Sequence, residues 1–96
     1  MTFSVIVWHE TADAIRHLPD KTRRIIRAAL LRLAEDPYPG SHGDKEKLLL
    51  KGGVLIYRLH ISHSFTAFYE IDKDEKLVLV QDVLTIGQAH KKYGRM

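Results

Sequence analysis

Arg58 and His60 stand two residues apart in the run Val54–Ile61, a spacing that puts both side chains on one face of a β-strand. Leu55, Tyr57, Leu59 and Ile61 take the alternate positions and are expected to point the other way, into a core. A guanidinium can hold a phosphate through two parallel hydrogen bonds, and an imidazole exchanges a proton near neutral pH. Such a pair suits binding a phosphodiester and moving a proton. It is also what the wet face of a half-exposed strand carries for solvent alone, so both accounts stand at this point.

A second cationic group is Arg23, Arg24, Arg27 and Arg32, which fall largely outside the apolar stripe Ile25, Ile26, Ala29, Leu30, Leu33 and Ala34 of a helix. They read either as a solvated face or as a surface for an acidic partner. Four of the six histidines, His9, His17, His42 and His63, show no spacing with carboxylates that suggests a metal, and are assigned to surface or turn positions. With no cysteine in the chain, disulfides and thiolate metal sites are excluded and a cytoplasmic address is the default. No metal or other cofactor is expected.

The elements that must position these groups follow from periodicity. Phe3 to Trp8 is apolar and β-branched and reads as a buried strand, not as a signal peptide or membrane span. A short helix is predicted from about Glu10 to His17, with Ala14, Ile15 and Leu18 inward, and Asp20 is expected to cap the arginine-bearing helix. Asp36 to Asp44 (DPYPGSHGD) breaks all periodicity and reads as a loop. Strands are predicted at Lys47–Leu50, Val54–Ile61, Phe65–Ile71 and Leu77–Leu84, with a Gly52-Gly53 turn, a polar turn at Asp72–Glu75, and a basic tail from Gly87 that holds a helical turn or two. Asp82, inside an apolar strand, is expected to mark where that strand meets the sheet edge or the tail.

Ninety-six residues make one domain, 1–96. Its expected class is α+β: two helices from the N-terminal half on a small, largely antiparallel sheet, in the order β-α-α-β-β-β-β with a short basic tail. Ile26, Leu30 and Leu33 should lie against Val5, Tyr57, Leu59 and Leu79. The net charge of +3 and pI near 9.3 are compatible with an acidic or phosphate-bearing partner without requiring one.

That order resembles the RelE/ParE toxin superfamily of type II toxin–antitoxin pairs, RelE-like branch. KLLLKGGVLIYRLHI (47–61) resembles the family's K-L-x-G…Y-R-L/I-R core, YEIDKDEKLVLV (69–80) its Y-x-I-D-x-x-x-x-V-x-V, and GQAHKKY (87–93) its closing G-H-R-x-x-x-Y. The RelE side of the resemblance implies a ribosome-dependent mRNA interferase. Such an endoribonuclease inhibits translation by turning the ribose 2′-hydroxyl against the adjacent phosphate, with no metal. Carried onto this chain, it makes Arg58, His60, His90 and Tyr93 catalytic, and Lys47, Lys51, Lys91 and Lys92 RNA- or phosphate-binding. The implied partners are the ribosome and mRNA, with no membrane, and an antitoxin expected on Arg23, Arg24 and Arg27. The chain departs from the pattern at Thr66 and Ala89, where the family carries arginine, and the loss of two cations around a phosphorane would slow each contribution on the order of 10²-fold or more. A ParE-like toxin that binds DNA gyrase without catalysis, or a member that keeps only antitoxin binding, therefore stays open beside the nuclease.

Overall fold

The computed structural model describes residues 2–40 and 43–94, so the expectation for His42 lies outside the described residues. Strand β1 (Ser4–Val7) leads into helices α1 (His9–Arg16) and α2 (Asp20–Arg32). Then come β2 (Lys45–Leu50), β3 (Val54–Ile61), β4 (Phe65–Asp72), β5 (Leu77–Thr85) and helix α3 (Ile86–Tyr93). The sheet runs β1-β5-β4-β3-β2, with β1 parallel to β5 and every other pair antiparallel. This is the expected α+β fold, and the tail closes it with a helix.

The 3.6-residue repeat of α2 buries Ile26, Ala29, Leu30 and Leu33 against Leu59, Ile61, Ala67, Tyr69, Val78 and Val80. Full burial of each large apolar side chain there contributes roughly 1.5–3 kcal/mol. Tyr57 and Val5 pack against this cluster as expected. Leu79 does not: it pairs with Ile6 and Glu70 on the opposite face, one residue out of phase with Val78 and Val80. The stripe is also narrower than its sequence suggested, since Ile25 is exposed.

Other expectations shift for identifiable reasons. Helix α1 starts one residue early, and Ala14 is exposed while Thr11 is buried, because the Thr11 hydroxyl donates to the carbonyl of Gln81 at 2.5 Å. Pro19, not Asp20, is the N-cap of α2, and Asp20 pairs instead with Arg23 in the first turn. Leu55 lies on the same face as Tyr57 but is exposed, with its cross-strand partner Leu49, because α2 does not reach that tip of the hairpin. Gly52 and Gly53, both with positive φ, make the turn there, a conformation that side chains rarely adopt.

The second face of the sheet has its own small core. Ile56, Phe68 and Ala89 are buried there with Leu48, Leu50, Leu84 and Tyr93 around them, so α3 lies across this face. Thr85 accepts from the Gln88 N–H, and Gln88 accepts from the Thr85 N–H, a capping box that starts α3 directly off the end of β5. A register irregularity between Phe68 and Tyr69 skips Gln81, so the odd-even phase of β5 reverses. Val78 and Val80 face α2, whereas Asp82 and Leu84 face α3.

Candidate functional site

Two surfaces gather the residues with chemical potential. The first is the α3 face of the sheet. Cross-strand register puts Glu46 opposite Arg58, Arg58 opposite Phe68, and Phe68 opposite Asp82, a single row across four strands. The next row sets His60 opposite Thr66 and Thr66 opposite Leu84. The alternation that placed Arg58 and His60 on one face therefore holds.

Carboxylates accompany the cations on this face. Arg58, whose side chain is only 13% exposed, forms a salt bridge with Glu46, and the same Glu46 oxygen lies 3.9 Å from Nε2 of His60. Tyr93 stacks on Phe68 with ring centroids 4.0 Å apart and donates its hydroxyl to Asp82. Lys92 also pairs with Asp82, at 3.0 Å. Burial and then the Asp82 hydrogen bond push the Tyr93 phenol above its ordinary pKa. Asp82 thus meets the tail, as its odd place in the strand suggested.

The four residues that the resemblance makes catalytic, Arg58, His60, His90 and Tyr93, are brought together in part. Arg58, His60 and Tyr93 share the face, but two carboxylates share it with them and offset the positive charge. His90 is exposed on α3, one residue beyond the buried Ala89. Lys47 pairs with Tyr57 and so lies on the α2 side of the sheet, away from Arg58 and His60. Lys51 is exposed at the hairpin tip and Lys91 is exposed on α3. Thr66 is buried and donates its hydroxyl to the Leu59 carbonyl at 3.3 Å. Ala89, 2% exposed, is a helix-to-sheet contact. Neither of these two positions presents a free polar group.

Glu46 was missed because the sequence pattern started β2 at Lys47, two residues late. The run Lys45-Glu46-Lys47 carried the signal: period-2 alternation extended back through it sets Glu46 in line with Leu48 and Leu50, on the Arg58 side.

The second surface is a groove of about 610 Å³ between α1 and α2. Val5, Val7, Ile15, Ile26 and Leu30 give it apolar walls, and Arg16, Arg23, Arg24 and Arg27, with the one carboxylate Asp20, line it with charge. Arg16 pairs with Asp13 and Arg23 with Asp20, each at i,i+3 spacing. Among the described residues no carboxylate pairs with Arg24 or Arg27. Of the three arginines expected to meet an acidic partner, Arg23 is therefore already compensated and the other two are not. Among the described residues no cluster of His, Cys, Asp and Glu could hold a metal ion. Among the described residues no helix is long and apolar enough to cross a membrane.

The sheet carries two helices on one face and a closing helix on the other. The family model for the ParE toxin of the type II toxin–antitoxin system parDE matches residues 6–89. The chain belongs to that family, within the RelE/ParE superfamily, and is the toxin component of a type II toxin–antitoxin system. No curated protein matches it. Among solved structures it is similar to the archaeal RelE–RelB complex from Pyrococcus horikoshii OT3, with 22% identity and a TM-score of 0.74 over 93% of this chain and 100% of that one. The toxin–antitoxin complex RelBE2 from Mycobacterium tuberculosis is 13% identical at a TM-score of 0.72, covering 88% of this chain and 92% of that one. The RelB–RelE complex from Methanococcus jannaschii is 16% identical at 0.64, covering 92% and 98%. At these identities the likeness is one of fold.

Proposed function

We propose that this toxin acts in the cytoplasm by binding its target, in the ParE-like manner with DNA gyrase as that target, and not by cutting messenger RNA. The match to the ParE toxin model supports this reading, and the salt bridge of Arg58 to Glu46 carries the case against cutting. A metal-free attack on a phosphodiester needs uncompensated cations around the developing charge, a base and an acid. Here the cation placed for that task is engaged by a carboxylate, the tyrosine hydroxyl is donated to Asp82, and the two positions at which the resemblance implies arginine are a buried threonine and a buried alanine.

The nuclease reading draws support from one observation, the common face of Arg58, His60 and Tyr93. Two assays separate the alternatives. Purified toxin should leave message intact on programmed ribosomes and should inhibit supercoiling by gyrase. Cleavage in the ribosomal A site, lost with Arg58→Ala or His60→Ala, would overturn the binding reading in favour of an mRNA interferase. A chain that does neither is a member that retains antitoxin binding alone.

The α1–α2 groove is the proposed antitoxin site. Its apolar walls fit the apolar stripe of an amphipathic helix, and Arg24 and Arg27 fit acidic residues beside that stripe. Solved relatives are toxin–antitoxin complexes, which supports a cognate antitoxin as the partner here.

A further inference from the structure

We infer that Glu46 decides what the α3 face of the sheet can bind, by closing the Arg58–His60 pair to phosphodiester strands. The inference rests on the non-cutting reading above and supplies a residue-level cause for it. Glu46 is fixed opposite Arg58 by the β2–β3 ladder, so the contact is built into strand register and is not a chance meeting of two long side chains. The Arg58 side chain is largely buried, and its guanidinium cannot leave the carboxylate for solvent at no cost. Its Nε is buried without a hydrogen-bond partner, so Glu46 is the one anion that this guanidinium pairs with among the described residues. The same carboxylate stands 3.9 Å from the His60 ring. One acid thus faces both basic groups of the strand.

A phosphate that approached either group would come within a few ångströms of Glu46. Two anions at that distance on a partly dry face repel strongly. Remove the carboxyl charge and the same two residues become a two-donor anion site, in which Arg58 keeps its hydrogen bond to residue 46 but no longer has its charge neutralised. Glutamine is the suitable replacement because its amide oxygen still accepts from Arg58 and keeps the packing.

The test compares binding of a fluorescein-labelled oligoadenylate RNA to the unmodified chain, to Glu46→Gln and to Glu75→Gln across a salt series. Glu75 lies exposed in the β4–β5 turn and controls for the change in net charge. Glu46→Gln should bind about tenfold tighter than the unmodified chain, with the salt slope steeper by roughly 0.7, the increment for one added phosphate contact on a single strand. Glu75→Gln should stay within about twofold, and Arg58→Gln added to Glu46→Gln should abolish the gain. A Glu46→Gln chain no better than the Glu75→Gln control overturns the inference, as does a gain that survives loss of Arg58. Thermal melts of each variant establish that folded protein was compared, and Glu46→Ala serves if the glutamine chain melts early. Cleavage of ribosome-bound message by the unmodified chain would overturn the proposed function itself, a result distinct from a missing gain in affinity.

Discussion

The two cationic regions of this toxin are built from the same side chain and differ in what surrounds it. On the α3 face Arg58 sits in a strand row whose register delivers Glu46 directly opposite, and Asp82 closes the other end of the row on Tyr93 and Lys92. In the α1–α2 groove, Arg24 and Arg27 stand one helical turn apart over apolar walls, and among the described residues no carboxylate pairs with them. An arginine already paired inside the protein offers a partner little net free energy, since the existing pair must be broken and the acid left behind desolvated or rehydrated. An unpaired arginine beside apolar surface offers charge, steering and a dry neighbour together. Counting cations on a toxin surface therefore says less than asking which of them the fold has already neutralised.

The largest expected effect concerns the core beneath the groove, on which both cationic regions are mounted. Leu30 is 6% exposed and also lines the groove. Leu30→Ala should cost about 2–5 kcal/mol of unfolding free energy, measured by denaturant titration, against under about 0.5 kcal/mol for Leu31→Ala, one residue on but exposed. Equal losses would mean that the helix is seated differently.

Next in size is the contrast between the two cationic regions themselves. Arg24→Glu with Arg27→Glu should weaken binding of the cognate antitoxin by about tenfold to a hundredfold and flatten its salt dependence, followed by calorimetry at several ionic strengths. Arg58→Gln should change that affinity by less than about threefold. If Arg58→Gln weakens the complex as much as the double charge reversal does, the antitoxin covers the α3 face as well and the contrast collapses.

The smallest effect is a pH dependence that reports how tightly α3 is latched. Burial, then the Asp82 hydrogen bond, raises the Tyr93 phenol above its ordinary value, and burial, followed by the charge of Asp44, raises Tyr69. Because the folded state keeps these protons longer than the unfolded chain does, their contribution is fully present below about pH 10, the unfolded phenol value, and is lost as pH climbs above it. Thermal melts between pH 8 and 11 should show stability falling only at the alkaline end. Tyr93→Phe should reduce that fall and cost roughly 1 kcal/mol at neutral pH through the lost hydrogen bond. An unchanged alkaline profile would mean that Tyr93 is neither buried on the sheet nor held by Asp82.

Much of this protein is legible in its amino-acid sequence. The 3.6-residue repeat of Ile26, Leu30 and Leu33, the alternation that sets Arg58 and His60 on one face, and the Gly52-Gly53 turn are local patterns, and local patterns are what a linear chain records. Even for Leu55 the alternation gives the right direction and errs only in burial, because burial depends on how far α2 reaches.

What the sequence by itself determined is the α+β class, the order of its elements through the last strand, and which side chains of β3 share a face. The tertiary structure alone decided that Glu46 answers Arg58, that Gln81 shifts the phase of β5 so that Asp82 meets Tyr93, and that Ala89 is a contact under α3. The physical reason is range. A side chain's direction is set by its own backbone within a turn or a strand. Whether its charge is free is set by what another strand, remote in sequence, places opposite it.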